Sequence, residues 1–295
     1  MISDLRPKVS VVIPTFNHGQ YIRRALDSVI SQTWMCFEII VVDNHSTDNT
    51  AEVIKCIGDV RIKHLLINNQ GIIAKSRNLG LSVACGDWIA FLDSDDWWRS
   101  DKIEKCLDRD LRNVDLIYHD LIIKSSREFS WLKRKIKSWQ VVSPVLKDLL
   151  VRGNAIANSS VVVRRKIMLA VSGMCEDPEM VAAEDYNTWL NIARITDRFL
   201  YINKGLGFYL IHGFNISKRD VAQAGRISVR EYLYLLSSVE MNLLESRFRN
   251  TSGRCKYRNG DKLAARQDLG FSLRNGSVYI RFKSGLAMLL GELFD

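Results

Sequence analysis

The feature that most constrains this chain is an alternation in its first third. Short apolar runs at 9–13 (VSVVI), 37–42 (FEIIVV), 61–67 (RIKHLLI) and 88–92 (WIAFL) are separated by segments whose apolar residues recur at helical spacing. His18 to Ile30 carries Tyr21, Ala25, Leu26 and Val29 on one side. The next segment carries Val53, Ile54 and Ile57, with Thr47 expected to cap it, and Ile72 to Ala84 follows. Successive parallel strands need crossovers, and short strands this apolar need cover on both faces. The pattern therefore predicts an α/β fold, a mostly parallel sheet flanked by helices. Polar residues directly after the strands, Asp43 and Asp93 among them, then converge at the carboxyl edge of the sheet, where such folds bind ligands.

Beyond this block, Ile103, Leu107 and Leu111 predict a helix over Asp101 to Leu111, followed by an apolar run over 116–123. Lys124, Arg127, Lys133, Arg134, Lys135 and Lys137 then surround Phe129, Trp131 and Trp139. This region reads as a solvated basic hairpin or loop, or as a surface for an anionic acceptor or membrane. Ser160 to Arg164 fits a strand, Asp185 to Ile195 a helix, and 199–211 is strand-rich. From about Val221 to Leu244 the spacing predicts one long helix. The closing stretch, SVYIRFKSGLAMLLGELFD, suits packing on the core, packing on a second copy, or lying at a bilayer surface. The division expected is a catalytic domain over 1–218 and a helical extension over 219–295.

Composition narrows the function classes. At 295 residues and 47% hydrophobic, the chain has enough apolar material for a sizeable core. It contains no run of 18 apolar residues, so a spanning helix is not expected, and the N-terminus lacks the pattern of a secretory signal, so a cytoplasmic place is. Six scattered cysteines read as reduced thiols rather than a zinc site. The formal charge of +9 favours a polyanionic or membrane-surface partner. Without a zinc-finger or RNA-recognition signature, nucleic acid is disfavoured, and a nucleotide diphosphate or an anionic lipid suits the same charge.

The strongest local constellation is Asp93, Ser94, Asp95 and Asp96, directly after WIAFL. Crowded carboxylates at a strand end repel one another unless cations or donors compensate them. Mg²⁺ or Mn²⁺, which prefers hard oxygen ligands and bridges a pyrophosphate, would do so. An acidic turn or helix cap reads the same spacing. Asp43, in IIVVDNHSTDNT, suits a hydrogen bond from a base or ribose, or formation of the turn itself; Asp48 suits capping. Pro14 and Thr15 either contact a base or end the first strand. Arg77 supports a nucleotide or the acidic cluster, or lies on a helix surface. Glu184 and Asp185 stand where helix capping is the ordinary role, and His212 is a lone histidine that is either structural or a ligand.

Taken in order, VSVVIPTFNHGQYIRRALDSVISQT, EIIVVDNHSTDNT, NQGIIAKSRNLGLSVACGDWIAFLDSDD and AEDYNTWL resemble the family 2 glycosyltransferases with a GT-A fold, over about the first 190 residues. The resemblance implies inverting transfer of a sugar from a nucleotide-sugar donor, UDP-sugar first, to a hydroxyl of a glycan or polyprenyl-linked glycan in surface polysaccharide synthesis. It makes Pro14, Thr15 and Asp43 nucleotide-recognition residues, Asp93 a ribose- or diphosphate-side carboxylate, and Asp95 the metal ligand. Asp185 becomes the general base and Glu184 its orienting partner, while FYLIHGFNIS, with His212, completes the donor site. The chain departs from the family pattern in reading DNHSTD where many relatives read DDGSTD. Two other readings use the same residues: a metal-dependent nucleotidyltransferase, and a nucleotide-sugar or glycan-binding relative without catalysis.

Overall fold

The computed structural model describes residues 8–125, 135–136, 138–212 and 220–293. Strands β1 (Val9–Thr15), β2 (Phe37–Asp43), β3 (Ile62–Leu66) and β4 (Trp88–Phe91) alternate with helices α1 (Gly19–Ile30), α2 (Thr50–Ile57) and α3 (Ile73–Val83). β1 lies between β2 and β4, and β3 beside β2, all parallel. Side chains along β1 alternate between faces: Val11 and Ile13 pack with Ile22 and Leu26 of α1, whereas Val12 packs with Leu81 of α3. A Cβ on Gly80 would stand 2.4 Å from Val12 Cγ1, so glycine lets α3 lie close against β1.

The chain continues through β5 (Trp97–Trp98), α4 (Lys102–Leu107), β6 (Leu116–Ser125), β7 (Lys135–Ile136), α5 (Val145–Arg152), β8 (Val162–Arg164), α6 (Arg165–Ala170), α7 (Glu184–Ala193) and β9 (Phe199–Ile211). The strand order is β3-β2-β1-β4-β8-β6-β9-β5, with β7 paired to β6. The α/β expectation holds, but the sheet is mixed. β8 runs antiparallel to both β4 and β6, and β5 antiparallel to β9, while β6 and β9 are parallel. This interruption has a positional consequence. β8 begins where β4 ends, so the 3-10 turn Asn158–Ser160 just before it sits beside Asp93. β9 runs in the direction of β4, so its end delivers His212 to the same edge.

The remaining helices are α8 (Ala222–Val229), α9 (Ser238–Arg258), α10 (Lys262–Asn275) and α11 (Val278–Leu293), with a 3-10 segment over Arg230–Leu235. The single helix expected over Val221 to Leu244 is thus broken. Ser237 starts α9 with a capping box: its Oγ accepts from Glu240 N at 3.4 Å, and Glu240 Oε2 accepts from Ser237 N at 2.9 Å. Val229, Tyr232 and Leu244 join the larger core, and Arg247 of α9 donates to the Leu150 carbonyl at the end of α5 at 2.6 Å.

Two smaller expectations are corrected. α4 ends at Leu107, short of Leu111. Thr47 does not cap α2: its N–H donates to Asn17 Oδ1 at 2.8 Å, and Asp48 Oδ1 accepts from Thr50 N at 3.0 Å, so the carboxylate serves the helix start. Arg127, Phe129, Trp131, Lys133, Arg134 and Lys137 lie outside the described residues. Among the described residues no helix is long and apolar enough to cross a membrane.

Candidate active site

The carboxyl ends of β1, β4 and β9, the turn Asn158–Ser160 and the start of α7 enclose a cleft of about 450 Å³. Pro14, Thr15, Arg77, Asp93, Asp95, Glu184, Asp185 and His212 all line it. Asp43 is the exception. Its carboxylate is 1% exposed, with Oδ1 accepting from both Ser46 N (2.9 Å) and Ser46 Oγ (2.6 Å) and Oδ2 lying 3.4 Å from His64 Nε2. Asp43 therefore shapes the loop that presents its neighbour Asn44 to the cleft. Asn44 Oδ1 in turn accepts from Asn69 N at 2.8 Å, tying this loop to the one before α3. His45 holds φ +52°, a left-handed backbone that explains why glycine suits this position in the DDGSTD pattern. Thr15 Oγ1 has no hydrogen-bond partner among the described residues, leaving a polar atom at the cleft wall.

On one side stands a carboxylate–imidazole pair. β5 pairs with β9, Trp97 opposite Phe208, which brings His212 Nε2 to 2.8 Å from Asp95 Oδ2. The main chain at Asp95 is fixed by Arg24, whose Nη2 donates to the Asp95 carbonyl at 3.0 Å while its guanidinium lies 3.6 Å over Trp97. His212 packs at 5.0 Å against the Tyr21 ring, and His18 Nδ1 is 2.7 Å from Ser94 Oγ. Asp96 turns inward, accepts from Leu210 N at 3.1 Å and is fully buried. Burial, then the charges of Asp95 and Asp93, push its carboxyl well above the usual range.

On the other side, Arg77 is 3% exposed and clamps two carboxylates: Nη2 donates to Asp93 Oδ1 at 2.7 Å and Nη1 to Glu184 Oε1 at 2.6 Å. Burial alone would weaken its hold on a proton, but Asp93 and Glu184 outweigh that and raise its pKa. Glu184 Oε2 accepts from Ala182 N at 2.7 Å, and Ala182 is held at φ +75°, a conformation that costs an L-residue about 1–2 kcal/mol. Glu184 is thus spent on Arg77 and on this turn. Its neighbour Asp185 is the carboxylate left facing the cleft, with Oδ1 accepting from Tyr186 N at 2.6 Å. Burial first, and then the negative charge of Glu184, push the Asp185 carboxyl up to about 7. A carboxylate tuned there accepts protons near neutral pH, as general-base chemistry requires.

Asn158 and Ser159 were not singled out from the sequence. Asn158 Nδ2 donates to Asp93 Oδ1 at 3.0 Å, Ser159 Oγ accepts from Asp93 N at 3.1 Å, and the Ser159 carbonyl accepts from Trp98 Nε1 at 2.7 Å. They bridge the acidic turn across more than sixty residues of chain. Nothing local in NSS signals this; only the reversal of β8 does.

The donor chemistry at Asp95 fits half of a divalent-cation site. Asp95 supplies a carboxylate oxygen and His212 an imidazole nitrogen, donor types that a divalent cation takes, and here the 2.8 Å hydrogen bond joins them to each other. Among the described residues no group of three His, Cys, Asp or Glu converges. A cation here needs substrate oxygens or water to complete its shell, which is how Mg²⁺ usually binds beside phosphates.

Comparison with known proteins identifies the family and the fold. The glycosyl transferase family 2 pattern matches residues 10–161. An uncharacterised glycosyltransferase of Haemophilus influenzae is 30% identical over 223 residues, 74% of this chain and 85% of the relative. Three longer curated relatives, 39% to 46% identical over 98 or 99 residues, extend far past it, and the chain spans 14% to 16% of their length. The fold is similar to that of S. aureus TarS 1-349 in complex with UDP-GlcNAc, with a TM-score of 0.63 at 19% identity, covering 97% of this chain and 90% of that one. It is also similar to the mannosyltransferase PcManGT of Pyrobaculum calidifontis in complex with GDP-Man and Mn²⁺, with a TM-score of 0.61 at 17% identity, covering 97% and 81%. With more than half its length inside the family pattern, and a relative 30% identical over 74% of the chain, this chain belongs to glycosyl transferase family 2.

Proposed function

We propose that the chain transfers a sugar from a nucleotide-sugar donor, a UDP-sugar first, to a hydroxyl of a glycan or polyprenyl-linked glycan, with inversion at the anomeric carbon. The observation that carries this reading is the separation of tasks in one cleft. Asp95 and His212 pair on one side, and Asp185, tuned to about 7, faces the same space from the other. Residues 1–218 form the catalytic domain in this reading, with 219–295 as an extension. The reaction belongs at the cytoplasmic face of the cell membrane, in surface polysaccharide synthesis.

Asp185 takes the proton of the acceptor hydroxyl as its oxygen forms a bond to the anomeric carbon. The bond from that carbon to the diphosphate oxygen breaks, and the nucleoside diphosphate leaves with the electron pair. Attack and departure on opposite sides invert the centre, with no covalent sugar intermediate. Arg77 and Glu184 hold the start of α7 so that Asp185 faces the acceptor rather than the diphosphate. Asp93, kept in place by Arg77 and Asn158, faces the ribose or the diphosphate. Pro14, Thr15 and the loop held by Asp43 receive the base. Asp95 and His212 would hold Mg²⁺ or Mn²⁺, which when bound neutralises charge growing on the leaving diphosphate. The UDP-GlcNAc and GDP-Man–Mn²⁺ complexes of the similar folds support a nucleotide-sugar donor and a cation.

The test is a transfer assay on purified protein with Mg²⁺ or Mn²⁺, a panel of UDP-, GDP- and dTDP-sugars, and soluble and lipid-linked glycan acceptors. Mass spectrometry should show one added sugar, with an equal amount of nucleoside diphosphate released. Donor binding without transfer to acceptors that a known transferase uses would leave a binding protein instead.

A further inference from the structure

We propose that α11 is a peripheral anchor that lies on an anionic lipid bilayer, a role independent of the catalytic reading. The inward side of this helix is accounted for: Ile280 packs beside Gly276, and Ser284 Oγ accepts from Asn250 Nδ2 of α9 at 2.7 Å. The outward side is apolar and bare. Val278 is 85% exposed, Phe282 68% and Leu289 57%, and Tyr279, Leu286 and Leu290 are exposed with them. At 3.6 residues per turn these six side chains fall within an arc of about 120°, a continuous stripe along the helix rather than scattered contacts. An apolar stripe of this extent on a water-facing helix marks an interaction surface.

Charge selects the occupant. Arg281 and Lys283 project on the two opposite margins of the stripe, about 60° before Val278 and ~20° beyond Leu290. Each is tethered locally. Arg281 donates to the carbonyls of Gly276 (2.7 Å) and Arg274 (3.1 Å), and Lys283 Nζ lies 4.3 Å over the Tyr279 ring. The described side chains of α11 include no carboxylate. The one acid in the helix, Glu292, lies in its last turn, so a second copy placed against this face would bring basic margins against basic margins along most of its length. An anionic bilayer offers acyl chains to the stripe and lipid phosphates to both margins, which is the arrangement of an in-plane amphipathic helix. The excess of Lys and Arg over Asp and Glu in the whole chain acts in the same direction.

The experiment is sedimentation of the full chain with vesicles of phosphatidylglycerol mixed with phosphatidylcholine and with vesicles of phosphatidylcholine alone, with light scattering of the free protein alongside. Binding to the anionic vesicles should exceed binding to the neutral ones by about tenfold or more and weaken as salt is raised. F282E and L289E, at exposed positions, should each reduce anionic-vesicle binding by about tenfold or more, with the melting temperature and soluble-acceptor turnover unchanged. The proposal is overturned if the wild-type chain stays in the supernatant with anionic vesicles, or if F282E and L289E sediment as fully as wild type. It is also overturned if light scattering shows a dimer that F282E dissociates while vesicles remain unbound, which would assign the stripe to a second copy.

Discussion

Arg77, on the face of the sheet covered by α3 and α7, and Lys102, on the face covered by α1 and α4, are both removed from water, yet they are compensated in different ways. Arg77 meets two carboxylates and its pKa rises. Lys102 Nζ has no hydrogen-bond partner among the described residues; it lies 3.6 Å over the Trp98 ring, and burial lowers its pKa to about 8. Close by, His119 is buried and held neutral, its pKa lowered to about 3 by burial and by Lys102. The cleft face spends its buried cation on fixing Asp93 and Glu184, which leaves Asp185 as the tunable group. The opposite face carries a buried cation that fixes no carboxylate. The comparison teaches that paired burial, not burial itself, marks the working side of this sheet.

Removing Arg77 should break the comparison most severely. R77A leaves Asp93 and Glu184 facing each other without a counter-charge, and should cost about 3–5 kcal/mol in denaturant unfolding as well as most of the turnover. A loss below about 1 kcal/mol would mean that the clamp does not hold α7. D185N should reduce kcat by about 10²–10⁴-fold while donor affinity, measured by calorimetry, stays within a few-fold. Equal turnover would remove Asp185 from the chemistry.

Lys102 should respond with the opposite sign. Its folded-state pKa of about 8 lies below the ordinary 10.5, so the folded chain binds fewer protons between those values. The cost is therefore full below about pH 8 and disappears as the pH rises towards 10.5. K102M should stabilise the chain by up to about 3 kcal/mol at pH 7, less what the Trp98 contact contributes, and the gain should vanish at alkaline pH. Denaturant titrations at the two pH values check it; a destabilised K102M would show that the aromatic contact outweighs desolvation.

The sequence made the parallel half of this fold legible because β1, β2 and β4 are short runs of β-branched and aromatic residues whose burial depends on nothing distant. It also placed Asp93 and Asp95 after a strand and Asp185 at a helix start, where position alone suggests a cap and only the family resemblance singles out Asp185 as a base. It could not show that His212 meets Asp95, because that contact spans 117 residues and depends on a two-residue strand, Trp97–Trp98, too short to have a period. Nor could it show that Glu184 turns to Arg77 while Asp185 faces the cleft, since adjacent carboxylates look alike until a helix separates their directions. The break before α9 is a different case. Ser237 to Glu240 reads SSVE, a capping-box signal present in the sequence that the apolar spacing on either side obscured.

The most direct test of the central claim is the pH dependence of kcat/KM, which reports the ionisation of groups in the ligand-free enzyme. Asp185 must be ionised to accept the acceptor's proton, and its pKa is about 7, so the rate should fall tenfold per unit as the pH drops below about 7 and level off above it. D185N should lose this limb along with most of its rate. A wild-type limb near pH 4, the ordinary carboxylate range, or the same limb near 7 persisting in D185N, would contradict the assignment of Asp185 as the base.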